Sequence, residues 1–486
     1  MTAPIVVIGG GVNELVAAHW LARAGNAVIV LGEDARDPLN PFASGWIPPA
    51  VIRDLELSRR GLVVQHPDPW ISASLANGGR LDLWQDVARS VASILPLSAR
   101  DAERWPAFCE QMHQHAGLIE TLYSAPPPDV MTHDWGELAR VAMLAVQARR
   151  LGRAGLESLL RLAPMPVADF LDDWFESDVL KGMLGAGGVM HLHQGPRSGG
   201  TAFVLLHHHV GSPPGVFRPP QSNIVSVLER LPGFERRPTA RVKRIDVENG
   251  SVAGVTLADG TRIAATCVVS GAHPERTLLE WVDTTWLEPE MIRGLRSIRS
   301  RGVAARVMLT LDRAPTFTVL TMAPSLDYLE RAYDDAKYRR VSSAPFIEAR
   351  YQAPTTTDGR HTVLVHMQYA PYSLAEGQWD EARRNALAET VMTMLAGPLP
   401  RASIRAVAVM GPVDVEAIDG SPRGQAYHAE LALDQLLWMR PLPSLARYRT
   451  PIEGLYLCGP AMHPGAGIAG ASGMLAAQTM LRDRSK

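Results

Sequence analysis

The chain opens with Ile5-Val6-Val7-Ile8, then Gly9-Gly10-Gly11, an apolar helical run to Ala24, and Ala27-Val28-Ile29-Val30-Leu31. Uninterrupted apolar runs of this length, bounded by turn residues, read as parallel strands buried on both faces. Strand, glycine turn, helix and second strand make the βαβ opening of a nucleotide-binding α/β fold. In such a turn the first glycine makes the tight bend, and the second lets the backbone approach a pyrophosphate at the helix N-terminus. Gly9 and Gly11 meet both demands. The third glycine, which lets helix pack on strand, is replaced here by Glu14. The acidic residue that ends the second strand and binds a ribose is replaced by Gly32, with Glu33 one place late.

At 486 residues, a length prior of about 150 per domain predicts two or three domains. A hydrophobic share of 46% and a charged share of 20% place the chain among ordinary globular proteins. A net charge of −2 gives no electrostatic footprint for nucleic acid. Cys109, Cys267 and Cys458 lie far apart without metal-type spacing, which predicts no disulfide framework and fits a reducing, cytoplasmic compartment. No basic segment precedes Ile5, so no signal peptide is expected. The apolar stretch Leu138 to Leu162 carries Arg140, Arg149, Arg150, Arg153 and Arg161, too many charges for a membrane span. Two readings stay open for it: a partly buried helix with a basic outer face, and a segment in peripheral contact with a membrane.

Further along, residues 34–50 read as loop, with Pro38, Pro41, Pro48 and Pro49, followed by a short helix from Val51 and a strand near Leu62. Residues 98–123 predict a helix capped by Ser98. Pro126-Pro127-Pro128 breaks the chain before a helical block over about 134–194. From Ala240, alternating segments are joined by Asn249-Gly250 and Asp259-Gly260, strong hairpin signals. They predict a three-stranded meander closed by Arg262 to Val269. Strands are expected at 304–311, 345–351 and 362–368, and a helix near 380–396. A buried strand over Gly454 to Gly459, a glycine-rich turn and a last helix end the chain.

This order of parts resembles the FAD-dependent amine oxidase-type oxidoreductases, and more narrowly their phytoene-desaturase-like (carotenoid dehydrogenase-like) branch. The opening Val6 to Asn13 carries the resemblance, as do Asp54-Leu55-Glu56-Leu57 before Gly61, Phe203 to His208, and Val268 to Pro274. Most specific is Leu457-Cys458-Gly459-Pro460-Ala461-Met462-His463-Pro464-Gly465-Ala466-Gly467-Ile468. The resemblance implies an α/β fold with a discontinuous Rossmann-like FAD-binding domain (1–70, 195–290 and 440–486). A mixed α+β substrate domain with a helical insertion (71–194 and 291–439) would close over a small, apolar substrate. It implies that Gly9 and Gly11 face the FAD pyrophosphate, that Val242 presents its backbone to the adenine, and that Glu33 stands in at the ribose. It further implies that Gly459, His463, Gly467 and Ile468 hold the far phosphate, ribityl chain and flavin ring. The flavin carries the redox chemistry in such enzymes, so no catalytic side chain is singled out.

The departures cluster at the ADP end of that site. Losing a charge-assisted ribose hydrogen bond costs on the order of 1.5–3 kcal/mol. A carboxylate about 5 Å from a phosphate costs about 3 kcal/mol at an effective dielectric of 20. Together they would weaken FAD by roughly three to four decades. Glu14 also has a simpler role open to it, as a first-turn acid at the helix N-terminus. Two functions follow: an FAD-dependent desaturase or dehydrogenase, and a flavin-poor relative that serves as a binding subunit or oligomeric partner of an active paralogue. Elsewhere, His191, His193, His207, His208 and His209 are read as packing or polar lining, with no metal site assigned. His463 has two roles open, flavin or substrate contact and loop ordering. Asp172, Asp173 and Glu176 read as a solvated face, and Cys458 as a small core residue.

Overall fold

The computed structural model describes residues 3–32, 43–75, 77–129, 134–354 and 360–485. Ile5–Ile8 is the centre of a five-stranded parallel sheet. Val28–Leu31 and then Glu235–Arg237 lie to one side, Cys267–Ser270 and then Leu455–Leu457 to the other. Ile5–Ile8, Val28–Leu31, Cys267–Ser270 and Leu455–Leu457 are buried along their whole length, because helices cover both faces. The opening helix (Val12–Arg23) and the terminal helix (Ala471–Arg484) pack on each other. They meet so closely that a Cβ on Gly473 would lie 1.8 Å from the Asn13 carbonyl oxygen.

The meander forms as its turns predict, with Val242–Glu248, Ser251–Leu257 and Arg262–Ala264 antiparallel. Its closing strand is shorter than expected. Arg262–Ala264 alternates exposed and buried and belongs to this one-sided sheet, whereas Cys267–Ser270 is buried throughout and crosses to pair with Ile5–Ile8. The change from alternating to continuous apolar character marks the crossing.

A second large sheet, of seven strands, runs in the order Ile404–Met410, Ala304–Leu311, His361–Gln368, Ile347–Gln352, Val319–Met322, Ile71–Ser74 and Arg80–Leu83. Three of these strands match the sequence reading. The hairpin from residues 71–83 does not follow from local pattern, since it joins a sheet otherwise built from 304–410 by pairing Leu320 with Ser72. A small four-stranded sheet places Ala43–Trp46 between Gln221–Ser222 and Gly467–Ile468. Residues 43–46 therefore correct the loop expected over 34–50. Ala-Ser-Gly-Trp carries little strand propensity of its own and is held by partners distant in sequence.

The helices largely follow prediction. Ser98 accepts from the Asp101 N–H at 3.1 Å and starts Ala99–Tyr123. The block over 134–194 divides into Trp135–Arg150, Gly152–Leu162, Val167–Trp174 and Asp178–Val189. Trp105 and Phe108 of the long helix pack with Phe175 and Phe217 in the core between the helices and the second sheet. Among the described residues no helix is long and apolar enough to cross a membrane.

Candidate functional site

A cleft of about 680 Å³ opens at the carboxyl ends of the parallel strands. Ile8 through Gly11, Gly32, Gly271 and Pro460 each follow a different strand into it. Open α/β sheets bind ligands at this edge, because loops leave the strands there and helix N-termini point at the ligand. Val242 lines the cleft from the meander, flanked by Arg241 and Lys243, and Arg276 lines it too. Gly9, Gly11 and Val242, far apart in sequence, thus share one wall system. Arg241, Lys243 and Arg276 bring positive charge to it, which suits phosphate. The sequence signal for them was present in Arg241-Val242-Lys243, on either side of a residue already singled out.

Glu14 is 5% exposed and folds back over the turn, where its carboxylate accepts from the backbone N–H groups of Gly11 and of Glu14 itself. These are donors that a helix N-terminus offers to an anion. Three glycines make room for it. A Cβ on Gly11 would come within 2.6 Å of Oε2, one on Gly9 within 2.9 Å of Cγ, and one on Gly271 within 1.7 Å of Oε1. Burial raises the Glu14 carboxyl to about 7, and the two backbone hydrogen bonds only partly oppose it. Near neutral pH the group is divided between a carboxylate, which repels phosphate, and a neutral acid, which can donate to it. The glycine turn, the volume of the cleft and the three cations that line it, against Glu416 on the same lining, fit a dinucleotide, with Glu14 accommodated in its neutral form.

Gly32 adopts φ +114°, and its missing side chain would point toward the backbone of Gly9. An acidic residue there would be strained, so the lost ribose acid is matched by a backbone that no longer suits one. Glu33 lies outside the described residues.

The C-terminal residues separate from the cleft. Gly459 adjoins it through Pro460, and its Cβ would stand 2.0 Å from the Gly271 carbonyl oxygen. Here glycine lets two strand ends touch. Gly467 and Ile468 pair with Gly45 and Trp46 in the small sheet, and a Cβ on Gly467 would meet the His207 ring at 3.1 Å. His463 is fully buried and donates from Nε2 to the carbonyls of Leu122 and Ala125, at 3.1 and 3.2 Å. These contacts order a loop. Arg440, which sequence reasoning missed, pins the whole turn. Fully buried, it donates to the carbonyls of Met462, Pro460, Tyr427, Ala429, Glu430 and Gln435. Burial pulls its guanidinium down to about 10, and among the described residues no carboxylate pairs with it. No local motif marks such an arginine, since its acceptors are backbone atoms gathered by the fold.

His207 and His208 make hydrogen bonds as neutral rings. His207 Nε2 donates to Ala466 O and its Nδ1 accepts from the Tyr123 hydroxyl, while His208 Nδ1 donates to Gly187 O and its Nε2 accepts from the Tyr427 hydroxyl. Burial lowers them to about 4 and about 3. Asp172, Asp173 and Glu176 pair on the surface with Lys181, Arg161 and Arg100. Cys458 is fully buried and its thiol is pushed far up by burial.

Comparison with known proteins agrees with this architecture. Residues 214–481 match the family model described as flavin containing amine oxidoreductase. Pyridine nucleotide-disulfide oxidoreductase domain-containing protein 2 of Rattus norvegicus is 30% identical, over 98% of this chain and 93% of its own length. A phytoene desaturase (lycopene-forming) from a Paracoccus species is 27% identical over 54% of this chain and 53% of its own. A solved putrescine oxidase bound to putrescine superposes with a TM-score of 0.61 at 14% identity, covering both chains fully, which supports the fold. The chain therefore belongs to the flavin-containing amine oxidoreductase family.

Proposed function

We propose that the chain is an FAD-dependent oxidoreductase of the desaturase or dehydrogenase type, acting on an apolar or bulky organic substrate. The observation that carries this reading is the cleft at the strand ends. It joins Gly9 and Gly11, at the head of the opening helix, to Val242 and Pro460 in one continuous space. Bound FAD would supply the hydride acceptor. The chain's own contribution is to bind and orient. Gly9 and Gly11 bring backbone to the pyrophosphate, Arg241, Lys243 and Arg276 offset its charge, and the Val242 backbone meets the adenine. Gly459, with the turn that Arg440 holds, borders the far phosphate. Family membership and the similarity to a phytoene desaturase support the reaction class. The neutral, hydrogen-bonded state of His207, His208 and His463 fits chemistry that asks no side chain for acid–base work.

Glu14 favours a second reading, in which the chain is a flavin-poor relative working as a binding subunit or partner of an active paralogue. Its carboxyl group occupies the donors that a pyrophosphate would use. The visible spectrum of the purified protein separates the two. A flavin spectrum, released on denaturation or gained on adding FAD at pH 6, is expected. A colourless protein that takes up no FAD between pH 6 and 8 would sink the first reading.

A further inference from the structure

Away from the cleft, a buried and a largely buried guanidinium group share one carboxylate. Arg218 Nε donates to Glu348 Oε2 at 2.8 Å, and Arg350 Nη2 lies 3.5 Å from Glu348 Oε1, with side chains 4%, 14% and 7% exposed. Arg218 also donates to the carbonyls of Phe217 and Met183. Among the described residues Arg350 pairs with no carboxylate but this shared one. One positive charge is therefore left without a counter-charge where desolvation is costly.

Both arginines line a pocket of about 40 Å³. That is room for about three water-sized atoms, the size of a carboxylate group. Among the described residues no Asp or Glu lines it. Trp70, a third wall residue, is 2% exposed and its indole N–H has no acceptor. The pocket thus holds two guanidinium groups and an unpartnered N–H donor but, among the described residues, no carboxylate. Pro67, Pro213, Val216, Pro219 and Pro220 give the lining an apolar stretch, beside the polar side chains of Gln65, His66, Gln85 and Ser212. Cationic donors and an apolar stretch in one pocket match a molecule with an anionic head and an apolar tail. A planar guanidinium fork prefers a carboxylate to a spherical ion.

We propose that this pocket binds the carboxylate of a small monocarboxylic acid, held by Arg350 and Arg218, with its apolar tail along the proline stretch. The site does not depend on flavin.

Calorimetric titration of the full chain with acetate, butyrate and butyramide tests it. Butyrate should bind about fifteenfold more tightly than acetate, from roughly a fourfold gain for each of its two additional methylenes. Butyramide, lacking the charge, should bind at least tenfold more weakly than butyrate. Arg350→Met should lower butyrate affinity more than tenfold. Arg350→Lys keeps the charge but loses the fork, and should lower it about threefold even if the Met variant fails to fold. Absence of saturable butyrate binding to the unmodified chain would overturn the proposal. So would equal affinity for acetate, chloride and butyrate, or butyrate binding by a folded Arg350→Met chain within twofold of the original.

Discussion

A carboxyl group folded into the anion site of its own helix is held at about 7 because burial outweighs the two backbone N–H groups it accepts from. The folded state then holds more protons at Glu14 than the unfolded chain between the ordinary value of 4.5 and about 7. Its contribution to stability is full below 4.5 and is lost as pH rises through 7, at about 1.4 kcal/mol per pH unit. The same proton bears on the ligand. The neutral form dominates at pH 6 and is about a tenth of the population at pH 8, so FAD affinity should fall about tenfold across that interval. Glu14→Gln should abolish this pH dependence, and Glu14→Gly should bind FAD more tightly than either at pH 8. Fluorescence titration of FAD at the two pH values checks this, and equal affinities in the unmodified protein would refute it. The sequence revealed that Glu14 stands in a glycine's place. It could not reveal that Gly271, at the end of a distant strand, leaves the space the carboxyl group fills.

Among the elements, the terminal helix depends most on one residue. Gly473 touches the Asn13 carbonyl, and a single methyl group there has nowhere to go because both neighbours are helix backbone. Gly473→Ala should destabilise the protein by about 3 kcal/mol, near the upper end of overpacking costs. Urea unfolding should show a lower midpoint at unchanged slope. A midpoint within error of the original would show that the two helices are free to move apart. Element by element, the opening βαβ, the hairpin turns and the Ser98 cap were legible because each is written over a few neighbouring residues. The strand at Ala43–Trp46 and the hairpin from residues 71–83 were not, because distant strands supply the hydrogen bonds that define them.

The molecule as a whole buries many neutral histidines. His207, His209, His366 and His463 are lowered to about 4, and His208 and His273 to about 3, in every case chiefly by desolvation. Each takes up a proton less readily folded than unfolded. Stability is therefore fully present above the ordinary value of 6.5 and is lost as pH falls from there toward 4. Each group contributes about 1.4 kcal/mol per pH unit in that window. Glu14 works in the opposite direction, but two of these histidines already outweigh it. The thermal midpoint should drop steeply between pH 6.5 and 5, and a midpoint that stays constant over this range would refute the assignment. Composition alone could not predict this, since the 15 histidines matter only where the fold removes them from water.

The amino-acid sequence by itself determined the architecture: a parallel βαβ opening, a meander, and a terminal strand and helix. Periodicity and turn chemistry act between neighbours, and a chain carries those instructions wherever its far ends lie. Only the tertiary structure decided what the opening feature does. It alone brought Gly271 against Glu14 and set Arg241, Lys243 and Arg276 in the same cleft as the glycine turn. It also turned His463 inward, away from the cleft, and gathered six carbonyls around Arg440. Desolvation and steric fit arise between residues that meet only after folding, so the chemistry of the cleft follows from contacts that sequence order does not contain.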